Sequence, residues 1–509
     1  MRWVAAEPFE LERNGMRLFY VLFFAAIAAL GSVPGFAKGV TETELREHIA
    51  VLASDEFEGR KPGTEGEAKT VKYIAEQWAK AGLKPAASDG GWFDPVPLIQ
   101  RGRGTAAFAF NSKGRKLRIV SDEIVLIGKE AEYSKNDLPV VFAGIGVKSD
   151  GSVAADVKGK LALVLFEAEN APNKFKSPRA RREALIAAGA EAVLFVGDSQ
   201  GNWSTLRRQL MSRPIGLENR EKRAMIEGAV SSEFAVALVT AAGLDWDKLR
   251  AHAKGTDYAG EPLGVEADLA VSTDIQRFNS SNVIGKISGR KKGSGAVLFM
   301  GHWDHLGICG PEDAPDRICN GAVDNASGIA VLIEAAQRLS KNRHDRDIYF
   351  LATTAEESGL LGAYAFADKP VVPLEQIVVS LNIDTIAVAG RNAKVAIIGR
   401  GTTPLDPIIE GIARKAGRVV ETSTDANDFI QRQDGWALAQ KGVPALMVGG
   451  SFADMDLMQK FLGSDYHGPN DELTDKTELG GAAEDADLHV ALGRYFANAQ
   501  KYKSAKAGE

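Results

Sequence analysis

Five short segments in the second half of the chain carry side chains that bind cations or move protons. In order they are Gly301-His302-Trp303-Asp304-His305-Leu306-Gly307, Asn320-Gly321-Ala322-Val323-Asp324-Asn325-Ala326-Ser327-Gly328, Ala355-Glu356-Glu357-Ser358-Gly359-Leu360-Leu361-Gly362, Asn382-Ile383-Asp384 and Asp465-Tyr466-His467-Gly468-Pro469-Asn470-Asp471. Two cysteines, Cys309 and Cys319, cannot form a four-thiolate cage, so any metal must be held by His, Asp and Glu. Adjacent carboxylates after a strand point in different directions, so one of Glu356 and Glu357 can bind metal while its neighbour holds a water proton. Asp304, two residues after His302, is placed to accept that imidazole's second ring N–H, which fixes the tautomer and raises its basicity as a ligand. Each segment alone has an ordinary reading. An isolated H-x-D-H match is structural more often than ligating, an Asp opening a helix is commonly its cap, and a Glu pair is commonly a solvated helix start.

The surrounding pattern argues for the chemical reading. Apolar, strand-like runs at Ala296 to Met300, Ile348 to Thr354 and Ile377 to Ile383 each end in a metal-type side chain, with Asp324 between the first two. Open α/β sheets bind ligands at the carboxyl ends of their strands, and such a coincidence is hard to explain as accident. Helical spacing at Ile329 to Leu339 and further runs at Val395 to Ile398 and Ala445 to Val448 complete an alternation of strand and helix. This predicts an α/β fold with a largely parallel sheet covered by helices on both faces. Upstream, Thr64 with Glu67 predicts a capping box. The helix behind it would bury Ala68, Val71, Ile74, Ala75 and Trp78, ending near Gly82 and Pro85. Between about 137 and 273, short runs such as Val140 to Ala143, Leu161 to Phe166 and Ala192 to Val196, with a helix-like stretch at Arg182 to Ala190, predict a small α/β unit without a catalytic cluster.

The chain of 509 residues, 45% hydrophobic and 25% charged, is globular in composition and too long for one core. A net charge of −6, from 61 basic and 67 acidic residues, argues against a polyanion-binding surface, and nucleic acid is not an expected partner. Leu18 to Gly31 is an apolar run preceded by Arg13 and Arg17, short of the roughly 20 residues that span a bilayer, and Gly35-Phe36-Ala37 has a small-x-small pattern. Residues 1–37 are therefore expected to be a signal peptide, with Met16 as an alternative start, and the protein to be exported, periplasmic or secreted. An uncleaved anchor is the other reading of that run; no later segment is apolar enough to span a membrane. In an oxidising compartment Cys309 and Cys319 could close a short loop as a disulfide, the alternative being two free thiols.

With these five motifs in this order, the chain resembles the co-catalytic zinc metallopeptidases typified by aminopeptidase Y and the bacterial leucyl aminopeptidases, over roughly 40–115 and 275–503. The block between them resembles a protease-associated domain. The resemblance implies a zinc exopeptidase fold with a mixed, largely parallel sheet. It also implies residues 38–120 as the first part of the catalytic domain, 121–275 as the insert and 276–509 as its main part. Two zinc ions would be held by His302, Asp324, Glu357, Asp384 and His467. Asp324 would bridge and Asp384 would share an ion with His302, while which histidine joins Glu357 is left open. Glu356 would be the general base, Asp304 its catalytic companion behind His302, and Asp324-Asn325 a cis peptide bond. Val323 and Gly468 replace the commoner Asp and Thr, and Arg432-Gln433-Asp434-Gly435-Trp436 resembles an element lining the site. Peptides with a free N-terminus are the implied substrates. Carboxypeptidase action, glutaminyl cyclisation and a receptor-like binding role remain alternatives, the last weakened by retention of every ligand type. His48, His252, His344 and His489 fall outside the motifs and are expected on the surface or in helices.

Overall fold

The computed structural model describes residues 39–503 except 119–120, 198, 212–213, 221 and the side chain at 200; the expected export segment lies outside the described residues. Helix α1 (Glu42–Leu52) opens with a reciprocal capping box, in which Thr41 accepts from the Glu44 N–H and Glu44 accepts from the Thr41 N–H. The box expected at the start of α2 (Glu65–Lys80) does not form. The Thr64 hydroxyl donates to the Lys61 carbonyl, and the Glu67 carboxylate instead accepts from Ser280 Oγ at 2.8 Å and the Ser281 N–H at 3.1 Å. Glu67 keeps one local partner, the Gly63 N–H at 2.5 Å, and takes its other partners from a distant strand instead of from Thr64. Val71, Ile74, Ala75 and Trp78 are buried as expected, whereas Ala68 is exposed, so the apolar stripe is narrower at its first turn.

The next stretch builds a core of its own. Its strands are β1 (Phe93–Ser112), β2 (Ile124–Gly128), β3 (Glu132–Phe142), β4 (Leu161–Leu165), β5 (Ala192–Gly197) and β6 (Ile226–Ser231), with helices α3 (Pro178–Ala187) and α4 (Ser232–Ala241). Strands β3, β4, β5 and β6 run parallel in that order, and β2 closes the edge antiparallel to β6. Strands β4 and β5 are apolar on both faces, as a sheet covered on both sides requires. Leu161, Leu163 and Leu165 pack with Phe142 and Phe234 on one face, and Ala162 and Val164 with Leu185 and Val193 on the other.

Strand β7 (Glu261–Ile287) ties this unit to the rest. Its early residues alternate, with Leu263, Val265, Ala267, Leu269 and Val271 facing the first core, and pair with β1 and β3. Its last five, Val283–Ile287, pair antiparallel with β9 (Asp347–Thr353), so one hydrogen-bonded sheet runs through both halves. It therefore runs unbroken across the expected boundary between 275 and 276.

The other half of this continuous sheet contains β8 (Ala296–His302), β9 (Asp347–Thr353), β10 (Ile377–Asn382), β11 (Ala396–Ile398) and β12 (Ala445–Gly449). Strands β9, β8, β10 and β12 are parallel neighbours, with β7 and β11 antiparallel at either side. The result is a mixed sheet flanked by helices. Along β8, Val297 and Phe299 pack with α5 (Ser327–Ser340) through Ile329, Leu332 and Ile333, while Leu298 and Met300 face α6 (Leu361–Asp368) through Ala363 and Phe366. No helix among the described residues is long and apolar enough to cross a membrane.

Candidate metal centre

All four parallel strands end on the same edge, and the loops leaving three of them meet there. His302 is the last residue of β8 and is buried. Its Nδ1 lies 3.1 Å from the backbone oxygen of Asp304, which makes Nδ1 the protonated nitrogen and leaves the Nε2 lone pair outward. That Nε2 faces Asp324 Oδ1 at 3.2 Å and Asp384 Oδ1 at 3.4 Å. Across the bridge, His467 Nε2 faces Asp324 Oδ2 at 3.4 Å and Glu357 Oε2 at 2.8 Å. Asp324 thus presents one oxygen to each imidazole, and the open pairing resolves: His302 stands with Asp384, and His467 with Glu357. A lone pair aimed at two carboxylate oxygens is a repulsive arrangement unless a cation lies between them, so the donor set fits two cations sharing Asp324.

The ligand atoms converge tightly enough for this. Among the described residues, His302, Asp324 and Asp384 form one grouping with all atoms within 4.8 Å of one another, and His305, Asp324 and Glu357 form another. His302 with Glu356 and Glu357 forms a third. His305, the second His of the H-x-D-H segment, has no role that its sequence position predicts; its Nδ1 lies 2.7 Å from Glu357 Oε1. That contact occupies one carboxylate oxygen and turns the other toward His467.

The loops are locked from behind. Asn325 Nδ2 donates to the carbonyls of His302 (3.3 Å) and Ile383 (3.1 Å), while its Oδ1 accepts from the N–H groups of Gly328 (3.0 Å) and Thr385 (3.2 Å). One amide therefore joins the ends of β8 and β10 to the start of α5, with its four hydrogen-bonding positions filled. Gly328 is required there, since a Cβ would stand 2.2 Å from Asn325 Oδ1 and 2.5 Å from the Ile383 oxygen. The Asp324-Asn325 peptide bond is cis, as the resemblance implied. Asp471 accepts from the N–H groups of Val323 (2.8 Å) and Asp324 (3.0 Å). Arg60, fully buried, donates to the carbonyls of Leu52, Trp303, Asn320 and Gly321, clamping two of the loops to the N-terminal segment.

Asp304 differs from the expectation. The turn after His302 puts the Asp304 carbonyl, not its carboxylate, under the ring; Oδ1 stands 3.8 Å from His302 Nδ1 and instead accepts from the Glu356 N–H at 3.0 Å. Its carboxylate therefore positions the Glu356 loop. Of the four histidines outside the motifs, His48, His252 and His489 lie in helices as expected, whereas His344 is buried outside any helix. His48 lies between Tyr73 Oη and Glu334, His344 Nε2 faces the Leu339 carbonyl, and His489 Nδ1 faces the Asp485 carbonyl; His252 is exposed. Cys309 and Cys319 form a disulfide with Cα atoms 5.8 Å apart, across the antiparallel pair Gly307–Ile308 and Ile318–Cys319.

Burial and mutual repulsion set the proton affinities. Burial, with the Glu357, Asp434 and Asp384 charges, drives Glu356 well above the ordinary carboxylate range against the pull of His302. Burial lifts Asp304 to about 8 and Asp434 to about 6. Burial works against the charged form of His467, but Asp324 and Glu357 prevail and raise it to about 10. This edge concentrates more negative charge than its own cations balance, which is the electrostatic form of a cation site.

An open α/β sheet with two imidazole–carboxylate sets sharing one aspartate defines a candidate binuclear metal centre. Residues 282–489, the segment that holds all five motifs, match the model of peptidase family M28. Aminopeptidase NAALADL1 of Rattus norvegicus is 28% identical over 182 residues, 34% of this chain and 22% of that protein. Aminopeptidase YwaD of Bacillus subtilis is 25% identical over 258 residues, 50% of this chain and 45% of that protein. The chain thus spans under half the length of these curated relatives. An aminopeptidase structure from Aneurinibacillus sp. strain AM-1 superposes with a TM-score of 0.54 at 18% identity, covering 90% of this chain and 94% of that one, which shows the shared fold.

Proposed function

We propose that this chain is an exported zinc-dependent aminopeptidase that removes N-terminal residues from peptides. The observation that carries the reading is Asp324 facing His302 with one oxygen and His467 with the other, with Glu356 beside both sets. His302, Asp324 and Asp384 would hold one zinc ion, and Asp324, Glu357 and His467 the other. Zinc in such a site supplies Lewis acidity and lowers the pKa of water to about 7. Glu356 takes the proton from water as it attacks the scissile carbonyl and returns it to the departing amine. Asp304 positions Glu356 through its backbone N–H, and His305 orients Glu357. Buried side chains held on several strand ends in this way are pre-set for the reaction, so little reorganisation accompanies the proton transfers.

Export rests on the apolar segment Leu18 to Gly31 and its basic flank. A protease-associated type of insert over roughly 121–275 is supported by the separate core of β2 to β6. The test is a panel of free and N-blocked aminoacyl and peptidyl substrates, with chelation, zinc add-back and elemental analysis. We expect two zinc ions per chain and turnover of free-amine substrates that chelation abolishes and zinc restores. Faster cleavage of N-blocked peptides overturns the aminopeptidase assignment.

A further inference from the structure

We propose that Arg432 selects peptides whose N-terminal side chain ends in a carboxylate, of the glutamate or aspartate class; this rests on the aminopeptidase reading above. A cavity is lined by His302, Asp324, Glu356 and Asp384 together with an apolar wall of Phe429, Met447, Phe452 and Met458. Arg432 is the one Lys or Arg side chain among the described residues lining it. Its guanidinium lies over the Phe429 ring, 5.0 Å from the centroid, and forms no ion pair with an Asp or Glu among the described residues. Stacking uses the flat face of a guanidinium and leaves its N–H edge available for a planar acceptor.

Tyr466 also lines the cavity, and the Gln433 and Thr385 side chains there are engaged nearby. The Gln433 amide donates to the Ile430 carbonyl at 3.3 Å and accepts from the Gly435 N–H at 2.8 Å, and the Thr385 hydroxyl donates to Asp384 at 2.9 Å. An apolar wall with one unpaired cation suits a side chain with a methylene stem and an anionic end. Glutamate offers both. A leucine side chain fills the wall but leaves the guanidinium to water, and a lysine side chain meets a like charge. Charge-assisted, bidentate pairing makes this discrimination larger than one based on apolar fit.

The experiment compares zinc-loaded full-length wild type with Arg432→Gln, Arg432→Glu and Arg432→Lys. It measures kcat/KM on glutamyl, leucyl and lysyl p-nitroanilides, and binding of free L-glutamate, L-leucine and L-lysine by calorimetry. Wild type should favour glutamate over leucine by about tenfold or more in both readouts. The ratio should collapse in Arg432→Gln, survive in reduced form in Arg432→Lys and shift toward lysine in Arg432→Glu. A wild type without the glutamate preference, or a preference that these substitutions leave unmoved, overturns the proposal. Absence of turnover on every free-amine substrate would defeat the aminopeptidase reading separately. The calorimetric ratios still decide for or against Arg432 in that case.

Discussion

Two buried arginines, one in each half of the molecule, perform the same mechanical task in opposite electrostatic settings. Arg181 on α3 donates to the carbonyls of Ile145, Leu165 and Phe166, gathering the chain where β4 ends. Arg60 gathers the carbonyls of Leu52, Trp303, Asn320 and Gly321 where β8 ends. Burial lowers both guanidinium pKa values to about 10. Around Arg181 burial is the sole cause, whereas at Arg60 it is opposed by Asp471, Asp324, Asp304 and Glu357. A buried cation bonded to carbonyls is thus a structural clamp in either half. What separates the halves is the company of buried acids that have not paired with it, and that excess marks the edge where chemistry is possible.

The largest effect that would sharpen this contrast is on turnover. Glu356→Gln should lower kcat by about a hundredfold to ten-thousandfold while zinc content, measured by elemental analysis, stays at the wild-type level. Glu357→Ala should lose turnover and zinc together, because it removes a side chain facing both His305 and His467. If Glu356→Gln also strips the metal, the division of labour between the neighbouring acids is wrong.

Next in size is the amide that joins three loops. Asn325→Ala removes four hydrogen bonds and leaves the His302 and Ile383 carbonyls and the Gly328 and Thr385 N–H groups short of a partner. Chemical denaturation under chelating conditions should show a loss of about 4 kcal/mol or more. A loss below about 1 kcal/mol would mean that the ends of β8 and β10 and the start of α5 hold their places without it.

The arginines themselves break or keep the comparison directly. Arg181→Met and Arg60→Met should each cost about 3 kcal/mol, since each leaves buried carbonyls unpaired. Only Arg60→Met should also depress kcat/KM in the zinc-loaded protein, because its carbonyl partners at Trp303, Asn320 and Gly321 adjoin His302 and Asp324. Equal losses of activity in the two variants would show that the sites are linked and that the contrast is mistaken.

Much of the second half was legible in the sequence because its signals are local. The runs that became β8, β9, β10 and β12, and the spacing that became α5, are continuous in the chain. Three of the five site segments follow those strands directly. Long-range pairing was less visible. Strands β1 and β7 are mostly polar on one side, and their extended form rests on each other across more than 150 residues. The part played by His305 depends on Glu357, brought from the end of a different strand, and that of Asp304 depends on how one turn directs a carbonyl. Arg60 carried no motif at all. Its position follows only once the β8 loop and the loop before α5 are folded against the N-terminal helices.

The same division between local and tertiary partners applies at a smaller scale to the two N-terminal helices. Thr41 and Thr64 both precede a Glu at the third following position, and by sequence they are equivalent caps. At α1 the reciprocal bonds form, so Thr41→Ala should cost about 1 kcal/mol. At α2, Glu67 is held by Ser280 and Ser281 on β7, and Thr64 bonds outside the helix. Thr64→Ala should therefore stay within about 0.5 kcal/mol of wild type. Denaturant midpoints of the two variants, with unchanged slopes, read the difference. Two equal losses would mean that Thr64 caps α2 in solution, and that the pull of β7 on Glu67 is weaker than the geometry requires.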